Sequence, residues 1–314
     1  MPSLGYLAAK RIIGVMGLRW VYSLDESSIR TYLKEHANQQ DQLPPEWFSR
    51  RYDITVRTAL GSPIYVINPK PRSLGFSKRK ANKKPPVVLF LHGGGFMFEA
   101  MFVHWMAVDK LIRKTGAEVW FCAYPLLPEN TVYESSNVVC ETYLQMLEVY
   151  GENRIFVLGD SAGAVLSLNL GHWLRKPEIN LPQPNKIILV SPGQPLVKDK
   201  EQRAQMDAIN DRDIMLNTGL LDVMEGLMPS RAGYDDFYEY PLDGDFFDFP
   251  PMVVFTGTDE VFYPLMDGFL LRVRGSGVPL AYYQGNGLCH CWPYVPAAPE
   301  CRRGLNQLIG AVCY

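Results

Sequence analysis

The chain has 314 residues, of which 47% are hydrophobic and 20% are charged, and its formal net charge is −2. This is the composition of an ordinary globular protein, and the near balance of charge gives no reason to expect nucleic acid or an anionic membrane surface as a partner. The length fits one large α/β domain or two smaller ones, with a core that needs no disulfides.

Six scattered cysteines form no paired framework, which predicts a reduced protein of the cytoplasm. The N-terminus lacks the pattern of a signal peptide, because Lys10 and Arg11 interrupt its apolar residues. The longest uncharged stretch there, Ile12 to Leu18, is far too short to cross a membrane. We therefore expect no membrane span. The sequence leaves open whether the protein forms a homodimer.

The first 50 residues or so read as helices, at Leu7–Val21 and Ile29–His36. A hairpin follows, with alternating strands at Tyr52–Leu60 and Ile64–Ile67. The basic run from Lys78 to Lys84 has no interleaved aromatic residues and is predicted to be a solvated loop.

Beyond residue 87, apolar strands alternate with helices, which predicts a mostly parallel sheet covered by helices on both faces. A segment of about residues 197 to 248 interrupts this alternation and is predicted to be an insertion over the carboxyl-terminal edge of the sheet, where open α/β sheets bind ligands. The predicted strands are Val87–Leu91, Glu118–Ala123, Ile155–Leu158, Lys186–Val190, Met252–Thr256 and Leu280–Gln284, and the predicted helices include Ser135–Tyr150, Leu265–Arg274 and Glu300–Val312.

The stretch Gly159–Gly163, Gly-Asp-Ser-Ala-Gly, lies between a buried strand and a helix. It has the G-x-S-x-G pattern, in which a tight turn presents a serine as a nucleophile. By itself this pattern also fits a glycine-rich turn with a solvated serine. The interpretation of Ser161 as a nucleophile therefore depends on the rest of the chain.

A second glycine-rich stretch, His92-Gly93-Gly94-Gly95, follows another buried strand. Its backbone N–H groups and that of Ala162 predict an oxyanion hole made by Gly94, Gly95 and Ala162. A phosphate-binding loop is the alternative, but neither the P-loop pattern nor G-x-G-x-x-G is present.

Chain order selects the other two members of a triad, since in such hydrolases the acid and then the histidine follow the serine. Only His172 and His290 follow Ser161, and His172 is too far along the helix to reach back. We therefore predict His290 as the base. Asp259, at the end of a strand, is the predicted acid, with Glu260 and Asp267 as its rivals.

The two glycine motifs together resemble the hormone-sensitive-lipase family of α/β-hydrolases, in its bacterial carboxylesterase branch. The resemblance covers about residues 87 to 312. It implies an α/β-hydrolase fold with a helical cap, in which residues 1–50 form an N-terminal helical cap and residues 51–314 a catalytic domain with residues 197–248 as a cap insertion. It further implies Ser161 as nucleophile, Asp259 as acid, His290 as base, and oxyanion donors at Gly94, Gly95 and Ala162.

The resemblance implies a serine carboxylesterase for small-molecule esters that needs no cofactor. An amidase or deacetylase with the same triad is one alternative. A non-catalytic receptor on this fold is another, although the plant gibberellin receptors lack the histidine that His290 supplies here. Cys289 and Cys291 flank this histidine, but no second pair of ligands accompanies them, so no metal site is predicted.

Bulky residues stand beside the predicted oxyanion loop and base, namely Phe96, Met97 and Trp292. They are predicted to crowd a short apolar pocket suited to short- and medium-chain acyl groups.

Overall fold

The computed structural model describes residues 2–15, 17–36, 43–70, 85–152, 154–228, 234–296 and 298–313. Eight strands within these ranges form one sheet, in the order β1-β2-β4-β3-β5-β6-β7-β8. β1 and β2 pair in antiparallel fashion with their neighbours, and the remaining strands are parallel. The strands are β1 Tyr52–Ala59, β2 Ser62–Pro69, β3 Val87–Leu91, β4 Glu118–Cys122, β5 Ile155–Asp160, β6 Lys186–Val190, β7 Met252–Gly257 and β8 Leu280–Gly285.

Helices cover both faces of this sheet, as the alternation of elements predicts. Along β3, Leu89 packs into the core on one face, with α6 and α7, whereas Phe90 packs into the core on the other, with α5 and α11. The helices are α1 Leu4–Val15, α2 Leu18–Val21, α3 Glu26–His36, α4 Glu46–Ser49, α5 Phe102–Thr115, α6 Val132–Tyr150, α7 Ala162–Leu174, α8 Lys200–Ile209, α9 Gly219–Leu227, α10 Met266–Gly275 and α11 Pro299–Cys313. This sheet with helices on both faces is the architecture expected of the predicted α/β-hydrolase fold.

The N-terminal helical region differs from its prediction in one respect. The continuous helix expected over Leu7–Val21 is two helices, α1 and α2, because Gly17 has a φ of 79°. That left-handed conformation suits glycine and interrupts the helical hydrogen bonds. None of the helices in the described ranges has the length and apolar character needed to cross a membrane. The basic run Lys78–Lys84 lies outside the described residues.

Helix α1 is tied to the far end of the chain. The Ser3 N–H and hydroxyl groups donate to the two carboxylate oxygens of Glu300, each over 2.8 Å. Tyr6 is fully buried in the core that α5 and α11 share. Helix α1 is therefore fixed beside the loop that follows β8.

The N-terminal helices also contact the segment between β6 and β7, which contains α8 and α9. One guanidinium nitrogen of Arg19 donates to the carbonyl oxygens of Asn210, Asp213 and Leu216 at 2.5–2.8 Å. Helices α3 and α9 lie against each other. The two segments predicted to form the cap are thus in contact, while the division of the chain into a cap and a catalytic domain stays a prediction.

Candidate active site

Ser161 lies at the tip of the turn between β5 and α7. Its φ of 51° and ψ of −117° are an uncommon backbone conformation for a residue with a side chain. The turn fits only because glycines flank it: a Cβ at Gly163 would lie 2.0 Å from the carbonyl oxygen of Leu91, and one at Gly159 would lie 2.2 Å from that of Gly163. The predicted tight turn is therefore present in the structure.

His290 lies next to this serine. Its Nε2 is 2.8 Å from Ser161 Oγ, and the residue is 3% exposed. Its loop is held on both sides, since the Cys289 N–H donates to the hydroxyl of Tyr6 over 2.6 Å and the Cys291 N–H donates to the hydroxyl of Ser191 over 2.8 Å. The structure thus brings together the predicted nucleophile and the predicted base.

The predicted acid, Asp259, is not beside His290, and this expectation needs correction. Asp259 Oδ2 lies 3.0 Å from Lys10 Nζ, on the side of α1. The next residue, Glu260, is fully buried and places Oε2 at 3.2 Å from His290 Nδ1. Asp267 is exposed in the first turn of α10. Glu260 therefore occupies the position expected of the acid.

A second buried carboxylate supports the loop of Glu260. Asp213, 1% exposed, accepts the N–H groups of Met215 and Leu216 at its Oδ1, over 2.8 and 3.0 Å. Its Oδ2 accepts the N–H of Val261, the residue after Glu260, over 3.0 Å. The segment between β6 and β7 is thus fastened to the loop that carries Glu260, a contact that the sequence analysis does not predict.

The carboxylates around His290 favour the protonated form of its imidazole. Burial opposes the protonated form of His290, but the adjacent Glu260 and the charges of Asp213 and Asp160 favour it more strongly, so the pKa of His290 is raised above its ordinary value. Burial raises the pKa of Glu260, although the imidazole beside it opposes that rise. His290 is therefore well suited to accept a proton.

The glycine loop after β3 has the backbone shape that exposes N–H groups. Gly94 and Gly95 have φ values of 130° and 60°, and the Gly94 carbonyl accepts the N–H groups of Met97 and Phe98. Within the described part of the chain, no turn, loop or cap hydrogen bond takes the N–H of Gly94, Gly95 or Ala162. Gly95 and Ala162 line the same cavity as Ser161, and Gly94 is not among its lining residues.

This cavity opens onto Ser161 and is mostly apolar. Its volume is about 30 Å³, counted as the space open to the centres of water-sized spheres. Counted in the same way, a single water molecule needs at least about 10–15 Å³. Its lining residues are Gly95, Phe96, Ser161, Ala162, Val165, Gly193, Gln194, Pro195, Leu220, Leu221, Met224 and Phe262.

Of the three predicted pocket residues, the structure places only Phe96 in this cavity wall. Met97 is buried in the core behind the glycine loop. Trp292 packs against Phe255 and against Gly304 of α11, on the other side of the sheet. The sequence analysis misses Leu220, Leu221 and Met224, although their spacing in α9 is that of an apolar helix face.

In the part of the chain that the structure describes, no group of three or more histidine, cysteine or acidic residues is arranged to hold a metal ion. The cysteines that flank His290, Cys289 and Cys291, are unpaired and buried, as are Cys122, Cys140 and Cys301.

Comparisons with known proteins identify the family and the fold of this chain. A family model described as the alpha/beta hydrolase fold matches residues 88–294, about two thirds of the chain. An esterase from Acinetobacter venetianus is 27% identical over 302 residues, covering 93% of this chain and 96% of that one. An acetyl-hydrolase from Streptomyces hygroscopicus is 26% identical over 232 residues, covering 73% of this chain and 75% of that one.

Solved structures with this fold include an esterase from the bacterial hormone-sensitive lipase family. It superposes on this chain with a TM-score of 0.75 at 19% identity, over 97% of both chains. An esterase/lipase from an uncultured bacterium superposes with a TM-score of 0.76 at 18% identity, over 99% of this chain and 98% of that one. At these identities the superpositions show a shared fold.

Proposed function

Because this chain belongs to the α/β-hydrolase family whose model its residues 88–294 match, we propose that it is a serine carboxylesterase acting on short- to medium-chain acyl esters. The family resemblance expected from the two glycine motifs is confirmed, and the chain is a carboxylic ester hydrolase. The observation that carries the proposed mechanism is the contact series Ser161–His290–Glu260, with distances of 2.8 and 3.2 Å.

In the proposed reaction, His290 Nε2 takes the proton of the Ser161 hydroxyl while Oγ attacks the ester carbonyl. Glu260, beside Nδ1, orients the imidazole and stabilises its protonated form. The carbonyl oxygen becomes an oxyanion, for which the N–H groups of Gly94, Gly95 and Ala162 are the proposed donors.

The tetrahedral intermediate then expels the alcohol, which receives the proton from His290, and leaves the acyl group on Ser161. In the second half of the reaction, a water molecule attacks the acyl group as the serine hydroxyl attacked the ester. His290 takes one of its protons, the resulting hydroxide adds to the acyl carbon, and the carboxylic acid leaves as Oγ recovers its proton. No step requires a group that this chain lacks.

The size of the cavity favours short acyl chains. Each methylene buried in an apolar wall contributes about 0.8 kcal/mol while there is room, and overfilling costs about 1–3 kcal/mol. We propose that residues 1–50 and 197–248 form a cap, and that α9 closes the cavity with its apolar face. We expect kcat/KM to rise from acetyl to about butyryl or hexanoyl esters and then to fall.

A panel of nitrophenyl esters of increasing acyl length tests the proposal, with Ser161→Ala beside it. We expect Ser161→Ala to lower kcat by about 10⁴-fold or more. The control is Ser276→Ala, which removes an exposed hydroxyl that donates to the Arg272 carbonyl in α10 and should keep wild-type activity. Ester hydrolysis that survives Ser161→Ala, or activity that keeps climbing through long acyl chains, would contradict the proposal.

The nitroanilide of the best acyl group, measured in the same assay, separates an esterase from an amidase. We expect the ester to be the faster substrate by a wide margin. An anilide that is cleaved as fast as the ester would assign the same triad to amide hydrolysis. Binding of an ester without any Ser161-dependent turnover would instead indicate a receptor.

A further inference from the structure

One polar side chain in the wall of the cavity has no role in the reaction described above. Gln194 lies four residues beyond the end of β6 and is 3% exposed. Neither its amide oxygen nor its amide nitrogen has a hydrogen-bond partner among the described residues. Buried amide groups are nearly always paired, because an unpaired one has lost its water without replacing it.

The position of Gln194 gives this unpaired amide a place to find a partner. Among the described residues that line the cavity, only Gln194 and Ser161 have polar side chains, and the others are glycine, alanine, proline or larger apolar residues. A ligand that reaches Ser161 through this cavity therefore meets Ser161 with its neighbour His290, and it lies against Gln194, whose amide atoms are themselves buried.

The backbone on both sides holds this segment in place. The Ser191 N–H donates to the Phe255 carbonyl over 2.6 Å, which anchors the start of the segment. A Cβ at Gly193 would lie 2.9 Å from the ring of Phe262, so the chain passes close beneath that ring. Pro195 then fixes its own φ. These constraints hold the backbone around Gln194 in place beside the cavity.

We infer that Gln194 is a specificity-determining residue, which binds a neutral polar group carried by the part of the ester substrate that fills this cavity. The inference rests on the proposed esterase function. An amide both donates and accepts hydrogen bonds, so its matching partner is a group that does the same, such as a hydroxyl or a second amide. A hydrocarbon acyl or alkyl group would leave both amide atoms unpaired.

Sites built to hydrogen-bond a polar group of the substrate discriminate strongly against an analogue that lacks it, because the buried partner is then left unpaired. The preferred substrates are therefore hydroxylated or amide-bearing esters of short chain length. Plain acyl esters are also hydrolysed, but less efficiently.

Matched pairs of esters test the inference. On the acyl side, nitrophenyl 3-hydroxybutyrate is compared with nitrophenyl butyrate, and on the alcohol side, 2-hydroxyethyl butyrate with propyl butyrate. Each kcat/KM is divided by the rate of hydroxide-catalysed hydrolysis of the same ester, which removes differences in intrinsic reactivity. We expect the wild-type enzyme to prefer the hydroxylated member of one pair by about tenfold or more, and this pair identifies the side on which the polar group lies.

The variant Gln194→Met replaces the amide with an apolar side chain of similar length. We expect the ratio of the two corrected kcat/KM values to fall to within about twofold of one. The variant should melt at the wild-type temperature or above it, because an unpaired amide has been removed. The control Gln183→Met alters a glutamine whose amide donates to the Gly171 carbonyl, and it should keep the wild-type preference.

Two outcomes would overturn the inference. One is a wild-type enzyme that treats both members of both pairs alike, which needs no variant to be measured. The other is a Gln194→Met protein that melts lower and keeps the full preference, because the amide would then have a structural partner. Both are distinct from failure of the proposed function, in which no ester hydrolysis depends on Ser161.

Discussion

Lys10 Nζ lies 3.0 Å from Asp259 Oδ2, and this ion pair joins side chains that are 249 positions apart in the sequence. The pair turns Asp259 towards α1, while Glu260 is directed to the opposite side of the same loop, against His290. The two adjacent carboxylates thus have different partners, and only Glu260 is in place to act with the imidazole.

Exchanging each of these carboxylates for its amide distinguishes their roles. Glu260→Gln should lower kcat by about 10³- to 10⁴-fold, as loss of the triad carboxylate does elsewhere. Asp259→Asn breaks only a partly exposed ion pair, which contributes about 0–1 kcal/mol, and its kcat/KM should stay within a few-fold of wild type. Steady-state hydrolysis of nitrophenyl butyrate by both variants gives the comparison. A dead Asp259→Asn beside an active Glu260→Gln would restore Asp259 as the acid.

The pH profile of kcat/KM should report the titration of His290. The neutral imidazole is the base, so activity should rise with pH and level off above the pKa of His290. Since the carboxylates around it raise that pKa above its ordinary value, the rising limb should lie above pH 6.5, the ordinary value for histidine. Burial lowers the pKa of His92 and of His172 to about 4, so neither adds a step between pH 5 and 8.

The residual activity of Glu260→Gln offers a check on this assignment. Removing the carboxylate removes a cause of the raised pKa, so the limb should move to lower pH while the plateau falls. A limb that stayed in place, or moved upward, would mean that a different group controls the profile.

Asp213 should matter both for stability and for turnover. Asp213→Ala leaves two buried N–H groups and one partly buried N–H group without their acceptor, and each buried loss costs about 1–3 kcal/mol. Because one of the three belongs to Val261, next to Glu260, kcat should also fall while KM changes little. Denaturant unfolding and steady-state kinetics measure the two effects. Asp222→Ala, which breaks an exposed ion pair with Arg203, is the control and should leave both nearly unchanged.

Two helical glycines should respond in opposite ways to the same substitution. Gly163→Ala places a methyl group 2.0 Å from a backbone oxygen of β3, so overpacking should destabilise the fold by at least about 1–3 kcal/mol and displace Ser161. Gly310→Ala in α11 meets nothing within 4 Å, and should stabilise the protein by about 0.5–1 kcal/mol. Thermal unfolding of the two proteins is the measurement. Similar melting temperatures would show that the turn is looser than its contacts indicate.

The central strands could be predicted from the sequence almost residue by residue. Val87–Leu91 and Lys186–Val190 have the predicted bounds, because short apolar runs between polar breaks are typical of strands buried on both faces. Helix α5 is not among the predictions, although its buried Trp105, Val108 and Leu111 recur every three residues. Such a spacing of apolar residues is typical of the buried face of a helix.

The position of Glu260, which lies beside His290 in place of the predicted Asp259, could not be predicted in the same way. Adjacent residues in a loop point in different directions, and the direction of each depends on partners that are distant in sequence. Lys10 attracts one carboxylate, and the N–H of Val261, bound by Asp213, fixes the backbone just beyond the other. Neither Lys10 nor Asp213 belongs to a local motif, so only the folded chain shows the arrangement.

The attachment of α1 has a practical consequence for anyone who prepares this enzyme. A carrier protein or affinity tag joined ahead of Ser3 would emerge where Pro2 lies close to Gly287, three residues from His290. A fused protein at that point would disturb the hydrogen bonds from Ser3 to Glu300 and from Cys289 to Tyr6. Turnover would then be slower in a protein that is otherwise correctly folded. Purification handles are therefore better placed beyond α11, and a preparation with an N-terminal fusion should gain activity once the fusion is cleaved away.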